Sequence, residues 1–152
     1  MPDNFFDTSA LGKHYHQELG SARVDQLLAA QGTRHFLSRL TVVEIQSVFA
    51  KKVRTGRLSL ADFQLLCRRF RTDVARRRFQ VVRVTSGHFQ AAEQLIRRLA
   101  LAQNLRTLDT LQLAVALDLL GRSLVNQFVC ADHSLCTLAA AEGLAVINPE
   151  VP

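Results

Sequence analysis

The chain has 152 residues, of which 48% are hydrophobic and 21% charged, and its formal net charge is +6. This length predicts a single domain over residues 1–152, and the composition excludes a disordered or fibrous chain. No apolar run approaches the roughly 18 residues that cross a bilayer, and we expect no secretion signal. Together with three cysteines, an odd number, these features predict a cytoplasmic protein with reduced thiols and no membrane partner.

Short apolar segments alternate with segments of helical periodicity along nearly the whole sequence. In chain order they predict a strand at 4–7, a helix at 20–30, a strand at 35–38, helices at 41–55 and 59–74, a strand at 79–84, helices at 86–102 and 107–120, a strand at 125–130, a helix at 132–142 and a strand at 145–147. The residues between the first strand and the first helix, with His14 and His16, are expected to form an exposed loop. This alternation predicts an α/β fold in which helices cover both faces of a parallel five-stranded sheet.

Four acidic residues are candidates for chemistry, although each also has an ordinary structural explanation. Asp7 and Asp132 follow predicted strands and could simply cap a turn or a helix. Glu44, three residues after Thr41, fits a capping box. Asp109 lies in the first turn of a predicted helix, where an acid interacts favourably with the helix dipole.

Taken together, the four acids indicate a metal site. Ligands of parallel sheets bind beyond the carboxyl ends of the strands, which is where Asp7 and Asp132 are expected. Because like charges repel, such a cluster is costly unless cations neutralise it, and carboxylate oxygens suit Mg²⁺ or Mn²⁺. How the helix of Asp109 returns to this edge does not follow from the sequence. Nearby hydroxyl groups are candidates to orient the acids, and they belong to Thr8, Ser9 and Thr41.

Four segments, in this order, resemble the motifs of the PIN-domain family and in particular of its VapC-type toxins. They are 5–11 (FFDTSAL) followed by Lys13, 40–45 (LTVVEI), 105–114 (LRTLDTLQLA), and 129–135 (VCADHSL) with a closing strand in 142–149 (EGLAVINP). Each motif alone is weak, but four in order along essentially the whole chain are specific. The sequence departs from the family at Gln112, where many relatives have His. It departs again at Cys130, where Ser or Thr is common and a thiol cannot hydrogen-bond a carboxylate as a hydroxyl would.

The resemblance implies a three-layer α/β/α sandwich with the activity of an endoribonuclease, the toxin of a type II toxin–antitoxin system. It also implies that one or two Mg²⁺ or Mn²⁺ ions activate a water that attacks a phosphodiester of RNA. The partners that it implies are RNA, a cognate antitoxin and a second copy of the chain in a homodimer. Thr8 matches a supporting polar position, and the metal-binding and catalytic acids would be Asp7, Glu44, Asp109 and Asp132.

Basic residues are concentrated in the middle of the sequence. Residues 51–83 contain eleven Lys or Arg and two acids, which fits either contact with RNA or a solvated helix face. Lys13 and Arg106 lie beside the motifs of the site and are sharper candidates for contact with RNA phosphates. Either residue could instead balance the charge of the acidic cluster.

Three other interpretations fit parts of the sequence. A PIN-domain protein with weak or no nuclease activity, which processes or binds RNA, is the main alternative. An aspartyl-phosphate phosphatase would use Asp7 as its nucleophile and requires a second acid two residues later, where this chain has Ser9. Zinc at Cys130, His133 and Cys136 is disfavoured, because the pattern lacks a second ligand pair and free cysteines are commonly buried in cores.

Overall fold

Five strands and seven helices alternate along residues 2–152, the part of the chain that the computed structural model describes. The strands are β1 (Asn4–Phe6), β2 (His35–Ser38), β3 (Gln80–Val82), β4 (Gln127–Val129) and β5 (Ala145–Ile147). The helices are α1 (Thr8–Tyr15), α2 (Ser21–Ala29), α3 (Arg39–Arg54), α4 (Leu60–Ala75), α5 (Ser86–Leu99), α6 (Thr107–Gly121) and α7 (His133–Ala141). No helix within this part of the chain has both the length and the apolar character needed to cross a bilayer.

All neighbouring strands are parallel, and their order is β3-β2-β1-β4-β5. Successive side chains of a strand point to opposite faces, so Phe5 and Phe6 of β1 belong to two different hydrophobic clusters. Helices α5, α6 and α7 cover the face of Phe5, where that ring stacks on Phe128 with centroids 5.8 Å apart. Helices α1 to α4 cover the opposite face. The predicted three-layer α/β/α sandwich around a parallel five-stranded sheet is confirmed.

Helix α3 begins earlier than its sequence pattern suggests. Ser38 is its N-cap, and the Ser38 hydroxyl oxygen accepts a hydrogen bond from the Leu40 amide at 3.2 Å. A hydroxyl in this position satisfies one of the free N–H groups at a helix start. Thr41 therefore lies inside the helix, and the alternative explanation of Glu44 as part of a capping box with Thr41 is wrong.

The expected loop after the first strand is also wrong, because residues 8–15 form helix α1. Gly12 lies in this helix, and an interior Gly costs roughly 1 kcal/mol relative to Ala, which hides the helix from a propensity argument. Tertiary contacts stabilise it instead. Tyr15 is buried and its hydroxyl donates to Asp73 at 2.6 Å, while the His14 ring contacts the Asp25 carboxylate at 2.6 Å.

Helices α5 and α6 pack antiparallel, and this pairing returns Asp109 to the edge of the sheet where α1 begins. His88 near the start of α5 contacts Asp118 near the end of α6, with Nε2 and Oδ2 3.0 Å apart. Ile96, towards the end of α5, lines the same hollow as Thr107 at the start of α6. The first turns of α6 are hydrogen-bonded to the start of α1, so Asp109 and Asp7 approach each other from separate elements.

The packing of the sheet predicts that replacing a buried phenylalanine and replacing an exposed one lower the free energy of unfolding by very different amounts. Phe128→Ala should lower the free energy of unfolding by about 3–5 kcal/mol, because it leaves a cavity where a ring with 0% exposure was packed. Phe89→Ala is the matched control, since Phe89 is 53% exposed and should cost less than about 1 kcal/mol. Urea unfolding followed by circular dichroism measures both values, and equal losses would contradict this packing.

Candidate active site

The order of the strands creates a crevice at the carboxyl ends of β1 and β4. From β1 the sheet extends through β2 to β3 on one side, and from β4 it extends to β5 on the other. Ligands of parallel sheets bind beyond the carboxyl ends of the strands where the strand order reverses in this way. Asp7 directly follows β1, and Asp132 lies shortly after the end of β4. The fold therefore brings these two predicted residues to the same edge of the sheet.

Asp7 is the N-cap of α1 and is held through one carboxylate oxygen. Its Oδ2 accepts hydrogen bonds from the Ser9 amide at 3.1 Å and from the Ser9 hydroxyl at 2.6 Å. The thiol of Cys130 also donates to Oδ2, at 3.8 Å, so this cysteine does reach the carboxylate, as the weak donor that a thiol is. Burial raises the pKa of Asp7, the Ser9 hydrogen bonds oppose that rise, and the charge of Asp132 adds to it.

Asp132 is the N-cap of α7 and is likewise held through one oxygen. Its Oδ1 accepts a hydrogen bond from the Leu135 amide at 3.0 Å. The explanation of Asp7 and Asp132 as helix caps is thus correct, but it accounts for only half of each carboxylate. Within residues 2–152, the hydrogen bonds that end on these two side chains all use Oδ2 of Asp7 or Oδ1 of Asp132.

Glu44 projects from the second turn of α3, and it is also held through one carboxylate oxygen. Its Oε1 accepts a hydrogen bond from Nε2 of Gln112 at 2.9 Å and lies 3.3 Å from the Thr8 hydroxyl. The Thr8 hydroxyl is also 3.1 Å from Oγ1 of Thr41, one helical turn before Glu44. Burial raises the pKa of Glu44, and the hydrogen bond from Gln112 is the main opposing influence.

Asp109 lies in the first turn of α6 and differs from the other three acids. No hydrogen bond from residues 2–152 ends on its carboxylate with ordinary geometry. Burial raises the pKa of Asp109, the charges of Asp7 and Asp132 raise it further, to about 6, and Arg106 opposes these effects. Among the four acids, Asp109 is therefore the one whose carboxylate is least restrained by hydrogen bonds from residues 2–152.

Mutual repulsion connects the four acids. The charges of Asp7 and Asp109 raise the pKa of Glu44, while the charges of Asp7 and Asp132 raise that of Asp109. Charges of partly buried groups influence one another in this way when they lie near each other in a poorly solvated place. All four carboxylates therefore lie in one electrostatic environment, on the same side of the molecule.

The donor set fits a hard divalent cation. In the structure, however, no three His, Cys, Asp or Glu side chains of residues 2–152 are grouped closely enough to hold a metal ion. Mg²⁺ usually keeps several waters and uses only one or two carboxylates, so an open crevice of carboxylates fits Mg²⁺ or Mn²⁺ better than a tetrahedral zinc ion with four protein ligands. The same finding gives no support to zinc at Cys130, His133 and Cys136.

Gln112 is the residue of this region that sequence reasoning undervalued. It stood out only as a departure from relatives, yet its side chain is fully buried and contacts Glu44, Thr8, Thr41 and Ser38. The available signal was its spacing. Residues three apart share one face of a helix, so the spacing predicts that Gln112, one turn after Asp109, faces the same region.

The two predicted phosphate contacts have different surroundings. Lys13 is only 5% exposed, and its ammonium group donates to Glu150 at 2.5 Å and lies 3.4 Å from Glu18. Arg106 is exposed at the start of α6, close enough to Asp109 to affect its pKa. Arg106 is therefore more available than Lys13 for contact with a polyanion, because carboxylates already balance the charge of Lys13.

A three-layer fold with an acidic crevice at the point where strand order reverses defines the class of protein, and the sequence identifies the family. The model of the PIN domain matches residues 5–124, which include Asp7, Glu44 and Asp109. The chain belongs to the PIN domain family. No curated protein matches the sequence.

Solved structures with the same fold include toxins of toxin–antitoxin systems. The chain is similar to FitAcB from Neisseria gonorrhoeae, with a TM-score of 0.68, 19% identity, and coverage of 98% of this chain and 99% of that chain. It is similar to VapC20 from Mycobacterium tuberculosis, a toxin that cleaves the sarcin–ricin loop, with a TM-score of 0.66, 16% identity, and coverage of 95% and 97%. A toxin–antitoxin complex from Klebsiella pneumoniae has a TM-score of 0.61, 15% identity, and coverage of 96% and 97%. At these identities the likeness shows the fold.

The pKa of Asp109 predicts a pH-dependent effect on stability. In the folded chain without bound cations its pKa is about 6, against an ordinary value of 3.8. The folded state therefore binds more protons than the unfolded state between these values, and stability falls as pH rises through that window. Asp109→Asn should raise Tm by a few degrees at pH 8 and by almost nothing at pH 4.

Thermal melts followed by circular dichroism in EDTA measure this effect. Glu93→Gln is the control, because Glu93 is exposed on α5 and its neutralisation should leave Tm unchanged at both pH values. A lower Tm for Asp109→Asn than for the unsubstituted chain at pH 8 would show that its carboxylate is not under repulsion.

Proposed function

We propose that this protein is a Mg²⁺- or Mn²⁺-dependent endoribonuclease of the VapC type, formed by one PIN domain over residues 1–152. In this proposal it acts in the cytoplasm as the toxin of a toxin–antitoxin pair. One observation carries the proposal: four acids, two in helices and two at helix N-caps, repel each other in a single crevice beyond β1 and β4. Repulsion among these carboxylates opposes folding, and a bound cation would neutralise it. The oxygen atoms of the four acids are donors that suit such a cation.

The metal-binding and catalytic residues in this proposal are Asp7, Glu44, Asp109 and Asp132. In three of them the protein holds one oxygen, and the other oxygen is left to a ligand: Oδ1 of Asp7, Oε2 of Glu44 and Oδ2 of Asp132. A bound divalent cation supplies Lewis acidity, which lowers the pKa of a water and stabilises charge on an attacked phosphate.

The hydrogen bonds at the held oxygens have a distinct role in this proposal. Ser9 keeps Asp7 in one orientation, the Leu135 amide does so for Asp132, and Thr8 together with Thr41 borders the Glu44 side chain. A carboxylate fixed before a ligand arrives loses less conformational freedom on binding. Asp109 lacks such a restraint, and its side chain can adjust to the ion and the substrate.

RNA is the proposed substrate. The net charge of +6 attracts polyanions such as RNA, and the similar fold of VapC20 belongs to a toxin that cleaves the sarcin–ricin loop. Arg106 is the favoured phosphate contact because it is exposed next to the acidic crevice. Lys13 remains a second candidate, although it would first have to leave Glu18 and Glu150.

A cognate antitoxin and a second copy of the chain are the proposed protein partners. Large apolar side chains are exposed at Val43 (69%), Phe89 (53%) and Leu108 (46%). Val43 and Leu108 lie on the two helices that also carry Glu44 and Asp109. A protein that covers these side chains would therefore sit next to the crevice, which suits an inhibitor of the site.

A cleavage assay on purified protein tests the central proposal. RNA should be cut in Mg²⁺ or Mn²⁺ and remain intact in excess EDTA, and Asp7→Asn should lower the rate by about two orders of magnitude or more, because a ligand is lost. Asp62→Asn is the control, since Asp62 is an exposed acid of α4 and should leave the rate unchanged. Full activity of Asp7→Asn, or activity in EDTA, would rule out the mechanism. RNA binding without cleavage would instead favour the RNA-binding alternative.

Arg106 can be tested against a matched arginine at the other end of the same helix. In an Asp7→Asn background, which prevents cleavage, Arg106→Ala should weaken RNA binding and reduce the slope of log affinity against log salt by about 1. Arg122 follows the last turn of α6, and Arg122→Ala should change neither quantity. Fluorescence anisotropy at several salt concentrations measures both, and identical slopes for the two variants would exclude a phosphate contact at Arg106.

A further inference from the structure

Gln112 is a fully buried residue whose side-chain amide joins the N-cap of α3 to the candidate active site. Its Oε1 accepts from the Ser38 hydroxyl at 2.8 Å. Its Nε2 lies 2.8 Å from Oγ1 of Thr41, 2.9 Å from Oε1 of Glu44 and 3.2 Å from Oγ1 of Thr8. A buried amide must find partners for both its donors and its acceptor, and here a carboxylate of the crevice is one of the three acceptors around the NH₂ group.

The orientation of this amide is fixed from both ends. The Ser38 hydroxyl oxygen accepts from the Leu40 amide as the cap of α3, so its single hydrogen is available for Oε1 of Gln112. If the amide were rotated by half a turn, its oxygen would lie against Oε1 of Glu44, and two acceptors would face each other in a buried place. The helix cap and the carboxylate therefore select the same orientation, with the NH₂ group towards Glu44.

The two carboxylate oxygens of Glu44 therefore have different surroundings. Hydrogen bonds from residues 2–152 end on Oε1 alone, and the torsion of the carboxylate is thereby restrained. We infer that Gln112 is a positioning residue: by binding Oε1 of Glu44 it presents Oε2 to the divalent cation of the crevice. This inference rests on the proposed function, and Gln112 acts through Glu44 without touching RNA.

A positioning role predicts effects that a purely structural role does not. Gln112→Leu keeps approximately the same volume but cannot donate a hydrogen bond, so Glu44 should lose its restraint. Gln112→His restores a donor and should rescue binding. Leu119→Ala provides a matched structural control, because Leu119 is buried on the same helix near its opposite end and its loss should destabilise the fold without altering Glu44.

Binding of Mn²⁺ to the full chain, without RNA, is the primary measurement. Electron paramagnetic resonance of free Mn²⁺ gives the affinity, and we expect Gln112→Leu to weaken it by about 10- to 100-fold, the usual effect of removing a partner of a metal ligand. Gln112→His should bind within a few-fold of the unsubstituted chain, and Leu119→Ala should bind normally despite a lower Tm. Normal Mn²⁺ affinity of Gln112→Leu would overturn the inference, as would equal weakening in Leu119→Ala.

Cleavage kinetics provide the second measurement and separate this inference from the proposed function. At low Mn²⁺, Gln112→Leu should lose kcat with an unchanged KM for RNA, and it should recover activity as Mn²⁺ is raised. If the unsubstituted chain neither binds Mn²⁺ nor cleaves RNA, the proposed function fails. If it does both and Gln112→Leu behaves identically, only the role of Gln112 fails.

Should Gln112→Leu not fold, Ser38→Ala tests the same chain of hydrogen bonds. It removes the hydroxyl that fixes the amide, and circular dichroism verifies that the variant is folded. Weaker Mn²⁺ binding by Ser38→Ala would support the inference, and unchanged binding would overturn it.

Discussion

Repulsion among carboxylates is the constraint on which the rest of this structure depends. Burial and neighbouring charges raise the pKa of Asp7, Glu44 and Asp109 together, so the folded chain must offset an unfavourable gathering of charge. Helix starts provide part of the compensation. Asp7 and Asp132 cap α1 and α7, and Asp109 lies in the first turn of α6, where the helix dipole favours negative charge. The repulsion that remains among the carboxylates would favour the binding of a divalent cation.

The structural and chemical explanations of these acids are therefore complementary. A cap uses one oxygen of a carboxylate, and Asp7 and Asp132 each have a second oxygen that the cap does not use. Glu44 reaches the same condition without capping a helix, because an amide from α6 and a hydroxyl from α1 bind its Oε1. The fold thus fixes two carboxylates at helix caps and a third by side-chain hydrogen bonds, and in each case the other oxygen is left without such a hydrogen bond.

Much of the fold could be predicted because the three inner strands, β2, β1 and β4, are largely buried on both faces and appear as short apolar runs. The positions of Asp7 and Asp132 followed from these runs, since parallel strands end at one edge. Helix α1 could not be predicted, because Gly12 weakens its local propensity and Tyr15 stabilises it only through distant partners. The approach of Asp109 depends on the antiparallel packing of α5 on α6, a tertiary contact that periodicity does not encode.

The pairing of β4 with both β1 and β5 has a consequence for biosynthesis. Until β4 emerges from the ribosome, β1 has a neighbour on one side only, and its other edge exposes unpaired backbone groups. Asp132 follows β4 in the chain, so the nascent polypeptide lacks the fourth acid until β4 has been synthesised. Assembly of the crevice therefore waits for the strand that completes the pairing of β1, and chains that stop before Asp132 do not contain the complete set of acids.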